Sequence, residues 1–180
     1  VIVGHLGVAA AVRSGWRNTS LLWLLAASVA PDLLDIAMAA GGICNPYGLY
    51  SHTVPSVALQ AAVIGGGALL VTGSRPTAVA SALLVFLHLP PDLLTGHKIY
   101  WPGGPMLGLD LYSRPLVDFV IEMPVLIAGW WLLRRSRSVP RWTTSVAMLV
   151  GLMAVQGAFD FLAGDGAKPN ACLTVERRPL

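Results

Sequence analysis

Charge is scarce in this sequence. Only 12% of its 180 residues are Asp, Glu, Lys or Arg, against about a quarter in an average soluble domain. Apolar residues make up 55% and the mean hydropathy is +0.67. A soluble globule of this length has too little interior to hide that much apolar surface. An ordinary cytosolic enzyme and a disordered tail are both excluded. Cysteine is scarce as well: Cys44 and Cys172 alone make neither a disulfide framework nor a thiolate zinc site. The net charge of +3 is small, and the basic residues come in short clusters between apolar runs. That pattern orients membrane segments and gives no nucleic-acid surface. Internal repeats and low-complexity stretches are also missing. These absences leave an integral membrane protein.

What is present is a series of apolar runs. A bilayer-spanning helix needs about 20 mostly apolar residues. Six runs offer themselves: 1–12, 20–40, 54–71, 77–94, 116–133 and 142–162. They predict an all-α, polytopic membrane bundle of about six helices, one domain over 1–163, with a polar tail over 164–180. Arg13 and Arg17 ahead of 21–30 also resemble the start of a signal peptide. An apolar run before those arginines and four segments after them argue against it. Arg13 and Arg17, Arg75, and Arg134, Arg135, Arg137 and Arg141 fall in alternate loops. The positive-inside rule makes these loops cytoplasmic. The loops 41–53 and 96–115 then share the other side with both termini. Cys44 and Cys172 would share that compartment, where a disulfide is redox-permissible.

None of the twelve Lys and Arg lies within a run, whereas six of the nine acids do: Asp32, Asp35, Asp92, Asp118, Glu122 and Asp160. A buried carboxylate costs several kcal/mol unless something neutralises it. With no basic residue in the runs, protons or bound metal cations are expected to do so. His5 and His88 lie in runs as well, and His52 just before the third. Counting about 1.5 Å per helical residue from the arginines sets His5, Asp32, His88 and Glu122 between the bilayer middle and its outer half. Asp35, Asp92 and Asp118 fall one turn further out, and His52 at the rim. Groups from five segments thus converge on one level. Pro31, Pro55, Pro90, Pro91 and Pro124 stand beside them, as is tolerated where a polar cavity takes up the freed backbone groups.

His88-x-x-x-Asp92 sets an imidazole and a carboxylate one turn apart on one helix face. Asp118-x-x-x-Glu122 does the same with two carboxylates. Nitrogen and carboxylate oxygen without thiolate suit zinc, manganese or iron. His5 is a further candidate ligand, although a lone histidine serves equally as a packed or interfacial residue. His97, beside Lys98 in a glycine-containing loop, is expected to be exposed.

The order His5, Pro31-Asp32-Leu33-Leu34-Asp35, Ser51-His52-Thr53, His88-x-x-x-Asp92-x-x-Thr95 and Trp101-Pro102 resembles the YdjM-type family. Its members are bacterial inner-membrane proteins described as LexA-regulated, metal-dependent hydrolases, distantly similar to zinc-dependent phospholipases C. The resemblance spans about residues 4–122. It implies a metal site from Asp32 or Asp35, His52, His88 and Asp92, with His5 sharing Asp92 with a second ion, and zinc as the leading candidate for one to three ions. Tyr47-Gly48 replaces the family's His-Arg, and 31–35 reads PDLLD without a closing histidine.

The expected activity is hydrolysis by a metal-activated water. Whichever of Asp35, Asp118 and Glu122 is not a ligand would act as general base. A lipid or other amphiphilic (phospho)ester is the expected substrate, the bilayer the expected surroundings, and nucleic acid no partner. Other readings compete. Ser81 to Asp92 fits the Ser-Arg-x5-His-x3-Asp pattern of membrane phosphatidic-acid phosphatases except for Ala82 at the arginine. No basic residue lies between Arg75 and Lys98 to hold phosphate in such a site. An ion or proton carrier could use the same carboxylates and histidines as a relay, or a non-catalytic membrane protein could hold them as a structural cluster.

Overall fold

The computed structural model describes residues 2–162 apart from 138. The expectations for the tail over 164–180 and for Cys172 concern residues outside that description. Each apolar run is helical. The first forms α1 (Ile2–Gly15), and the second forms α2 (Leu21–Ser28) and α3 (Ala30–Ala40), bent by 61°. Then come α4 (Val54–Thr72), α5 (Arg75–Phe86), α6 (Leu89–Thr95), α7 (Pro115–Ser136) and α8 (Val146–Leu162). A short antiparallel pair, β1 (Lys98–Ile99) and β2 (Met106–Leu107), ties the loop between α6 and α7.

The breaks follow proline. Pro31 opens α3, and Pro90 and Pro91 open α6. Each lacks an N–H for the helical ladder and crowds the preceding turn. Among the described residues, α4, α5 with α6 (Arg75–Thr95), and α7 are long and apolar enough to cross a membrane. The bent α2–α3 pair makes a fourth if counted as one span. α1 and α8 have 14 and 17 residues. At 1.5 Å per residue they rise only about 21 and 26 Å, short of a hydrocarbon core of about 30 Å. Helix length alone therefore gives three or four crossings where the apolar runs suggested six.

Burial is inverted relative to a water-soluble fold. Leu59, Val63 and Leu70 on α4 and Leu116 and Val120 on α7 face outward, while His5, His88, Asp92, Asp118, Glu122 and Gln156 are buried. Small side chains let the helices approach. The main apolar core is Ala9, Leu24, Ala27, Ala30, Val57, Ala61, Ala80, Leu84 and Val85. Between His52 and Arg75, α4 has 19 residues and rises about 28 Å. At the last turn of α7, Arg134 and Arg135 lie over Trp130 and Trp131, a pairing suited to a membrane–water boundary.

α1 and α7 run side by side in the same direction, Gly4 against Glu122 and Gly7 against Val125 and Leu126. A Cβ on Gly129 would come within 1.9 Å of the Gly7 carbonyl oxygen, and one on Gly7 within 2.6 Å of the Val125 oxygen. Glycine here is a requirement of close backbone approach. Gly129→Ala should cost at least about 1–3 kcal/mol by overpacking and lower the Tm of the detergent-solubilised protein. Gly66→Ala, where a Cβ meets nothing within 4 Å, should not. Equal melting of the two variants would contradict this helix contact.

Candidate metal centre

The chain breaks bring the polar groups together. His88 stands at the junction of α5 and α6, and Asp92 follows in the first turn of α6, leaving His88 Nε2 3.2 Å from Asp92 Oδ2. Asp32 lies in the first turn of α3, just past the bend. His52 ends a tight turn in which Tyr47 and Gly48 take positive φ. The Gly48 carbonyl accepts from the backbone N–H of Ser51 and His52 at 3.1 and 2.8 Å. A Cβ at Gly48 would press to 3.0 Å from His52 Nδ1, so the turn and the imidazole position depend on the same glycine.

One ligand atom from each of Asp32, His52, His88 and Asp92 lies within 4.8 Å of all the others. His52 Nε2 is 3.1 Å from Asp92 Oδ2, 3.2 Å from His88 Nε2 and 3.4 Å from Asp32 Oδ1. His88 Nε2 is 3.6 Å from Asp32 Oδ1. Four nitrogen and oxygen ligands on a zinc ion, at ~2.0–2.1 Å, stand roughly 3.3 Å from one another when tetrahedral. The five separations that involve His52 or His88 run from 3.1 to 3.6 Å.

The imidazoles are turned for ligation. His88 Nδ1–H donates to the Ser28 carbonyl at 2.8 Å, one of the last carbonyls of α2, which lack intrahelical partners. His52 Nδ1 lies 2.6 Å from Ser51 Oγ and 3.4 Å from Asp35 Oδ2. Ser51 Oγ–H donates in turn to Asp35 Oδ1 at 2.5 Å, and the Asn45 side-chain amide donates to Asp35 as well. With both Nδ1 positions donating, the two Nε2 atoms are turned toward each other and toward two carboxylates. As neutral imidazoles they would offer two lone pairs, beside two carboxylate oxygens, to a cation.

Part of that cation is already there. Lys98 Nζ, carried on β1, donates to Asp92 Oδ2 at 2.7 Å and to His52 Nε2 at 2.8 Å, and lies 4.0 Å from Asp32 Oδ1. This corrects the expectation that no basic residue would reach the carboxylates. Lys98 lies outside the apolar runs, but a four-carbon stem carries its charge in. No protein-family model, curated protein or solved structure matches the chain.

The other candidate residues sit around this group. His5 Nε2 is 3.3 Å from Asp92 Oδ1, and its ring stacks on His88 with centroids 3.8 Å apart. Asp92 thus presents one oxygen to His5 and the other to the four-atom group. Asp35 borders the Nδ1 edge of His52, away from that group. Asp118 and Glu122 lie on α7 outside it. Glu122 Oε2 accepts from the Gly4 N–H at 3.3 Å, while Glu122 Oε1 and Asp118 Oδ1 are buried without a hydrogen-bond partner among the described residues. His97 is exposed.

Lys98, Ser51, Asn45 and Tyr100 are the neighbours that sequence reasoning passed over as participants. Ser51 adjoins His52, and Lys98 is six residues past Asp92, so proximity in sequence was the one available signal. Burial, reinforced by the Asp92 charge, pushes the Tyr100 phenol up from its ordinary pKa and keeps it protonated at neutral pH.

The Asp35–Ser51–His52 chain predicts a graded effect. Asp35→Asn should weaken metal affinity about 10–100-fold, the usual cost of removing a hydrogen-bond partner behind a ligating histidine. Metal titration of the purified variant checks this; parent-like affinity would contradict the assigned orientation of His52.

Proposed function

We propose that the chain is a multi-pass protein of a bacterial inner membrane, a bundle of about six helices that hydrolyses a lipid or other amphiphilic ester at a divalent-metal centre. The observation that carries the proposal is the group of two imidazole nitrogens and two carboxylate oxygens that lie within 4.8 Å of one another. Asp32, His52, His88 and Asp92 are the ligands. Such a donor set fits zinc first. His5, on the second oxygen of Asp92, is placed to share that carboxylate with a further ion. The motif order resembling the YdjM-type family supports the same reading.

A divalent ion held here would polarise the scissile bond and lower the pKa of water to about 7. The chain's own groups divide the remaining work. Asp35 and Ser51 hold His52 in the tautomer that offers Nε2, and the Ser28 carbonyl does so for His88. Of the three candidate bases, Asp35 is engaged behind His52, and Asp118 lies one turn from Glu122. Glu122, with an uncommitted oxygen beside Gly4, is the base we assign. The outward apolar faces admit a substrate from the bilayer, and the metal group lies toward the extracytoplasmic side. The test is hydrolysis of a short-chain p-nitrophenyl phosphodiester and the matching carboxylester by purified protein, zinc-loaded and chelated. Metal-dependent release of nitrophenol is expected; no turnover in either state would overturn the proposal.

One observation favours a second reading. The Lys98–Asp92 pair neutralises part of the group without metal, as an ion or proton carrier would need. Ion flux in proteoliposomes without hydrolysis would select that alternative.

A further inference from the structure

We propose that Lys98 is the resident cation of the His/Asp group and that a divalent ion binds by displacing it. The inference rests on the metal-centre reading and adds to it a step that the chain itself imposes. Lys98 Nζ spans the edge between His52 Nε2 and Asp92 Oδ2, at 2.8 and 2.7 Å. His52 Nε2 has a single lone pair when its other nitrogen carries the proton. That lone pair accepts from Lys98 or ligates a metal, not both.

The surroundings determine what moves. The backbone of β1 is paired, Lys98 opposite Leu107, and the next turn is tied to the start of α4 by Val54 N–H donating to the Tyr100 carbonyl at 2.8 Å. The displaced element is therefore the flexible four-carbon stem, with the hairpin left in place. The Lys98 side chain is 12% exposed whereas Asp92 is fully enclosed, so the ammonium has a route to solvent and the carboxylate does not.

Charge sets the selectivity. With both imidazoles neutral, as ligation requires, Asp32 and Asp92 together offer two negative charges, of which Lys98 balances one. A divalent ion in its place balances both. A monovalent ion exchanges one unit charge for another and gains nothing for the rearrangement. Lys98 thus lowers the affinity for every ion while leaving a favourable exchange only to divalent ones. In a chain free of metal, Lys98 keeps a cation beside the fully enclosed Asp92 carboxylate, where the apolar runs by themselves offer only protons or metal.

Zinc titration calorimetry in detergent on the parent, Lys98→Met, Lys98→Arg and His88→Ala tests the displacement. Lys98→Met should bind zinc at least tenfold more tightly than the parent, and Lys98→Arg should stay close to it. Should Lys98→Met fail to fold, the parent carries the test by itself. Zinc should accelerate acylation of the Lys98 amine by an N-hydroxysuccinimide ester, read by mass spectrometry. If the parent binds zinc through His88 but Lys98→Met binds no tighter, or Lys98 acylation is unchanged by zinc, displacement is wrong and the metal centre stands. If neither the parent nor Lys98→Met binds zinc, the metal reading falls and displacement with it.

Discussion

Replacing His88 with alanine should strip the protein of tightly held metal. The substitution removes one of four ligand atoms, His88 Nε2, which lies 3.2–3.6 Å from the other three. It also removes the ring on which His5 stacks. What remains is Asp32, His52 and Asp92, with Lys98 still bonded to two of them. Competition from the lysine then meets a weakened site. The loss in zinc affinity should exceed the roughly 10–100-fold that accompanies removal of a ligand's hydrogen-bond partner. His97→Ala is the control: His97 is exposed and bonds the Gly108 carbonyl, so metal retention should match the parent. Elemental analysis after dialysis reads both. Equal metal in His88→Ala and the parent would remove the histidine from the centre.

Glu122→Gln should separate binding from turnover. Glu122 lies outside the four-atom group and is held by the Gly4 N–H on α1. The amide keeps the shape and loses the charge that proton abstraction requires. Loss of a positioned base costs about 10²–10⁴-fold in rate. The variant should therefore hold parent-like zinc at the main site and lose ester hydrolysis by that factor. Undiminished hydrolysis would take the base role from Glu122 and pass it to Asp118.

Much of this site was legible because a membrane sequence makes ionisable groups conspicuous. His88 and Asp92 stand one helical turn apart within an apolar run, and their contact follows from helix geometry. Asp32 was legible for the same reason, reinforced by Pro31. His52 lies outside the third run and comes in through a turn with two consecutive positive-φ residues, Tyr47 and Gly48. Its residue type suggested a ligand, but nothing in the pattern gave the turn. Lys98 was missed for a physical reason. A run-based reading treats a charge in a loop as solvated, whereas a lysine stem reaches several ångströms from its backbone. The 61° bend between α2 and α3 was foreshadowed by Pro31, but a hydropathy count reads straight through it. Hydropathy also counts apolar residues without regard to breaks, which is why six runs became three or four helices long enough to cross.

Zinc K-edge X-ray absorption on the purified, dialysed, zinc-loaded protein tests the central claim most directly. The account predicts about one tightly held zinc in the main site, with nitrogen and oxygen neighbours at ~2.0–2.1 Å, the outer-shell scattering of two imidazoles, and no sulfur. A protein that retains no zinc, or the same spectrum from His88→Ala, would contradict it.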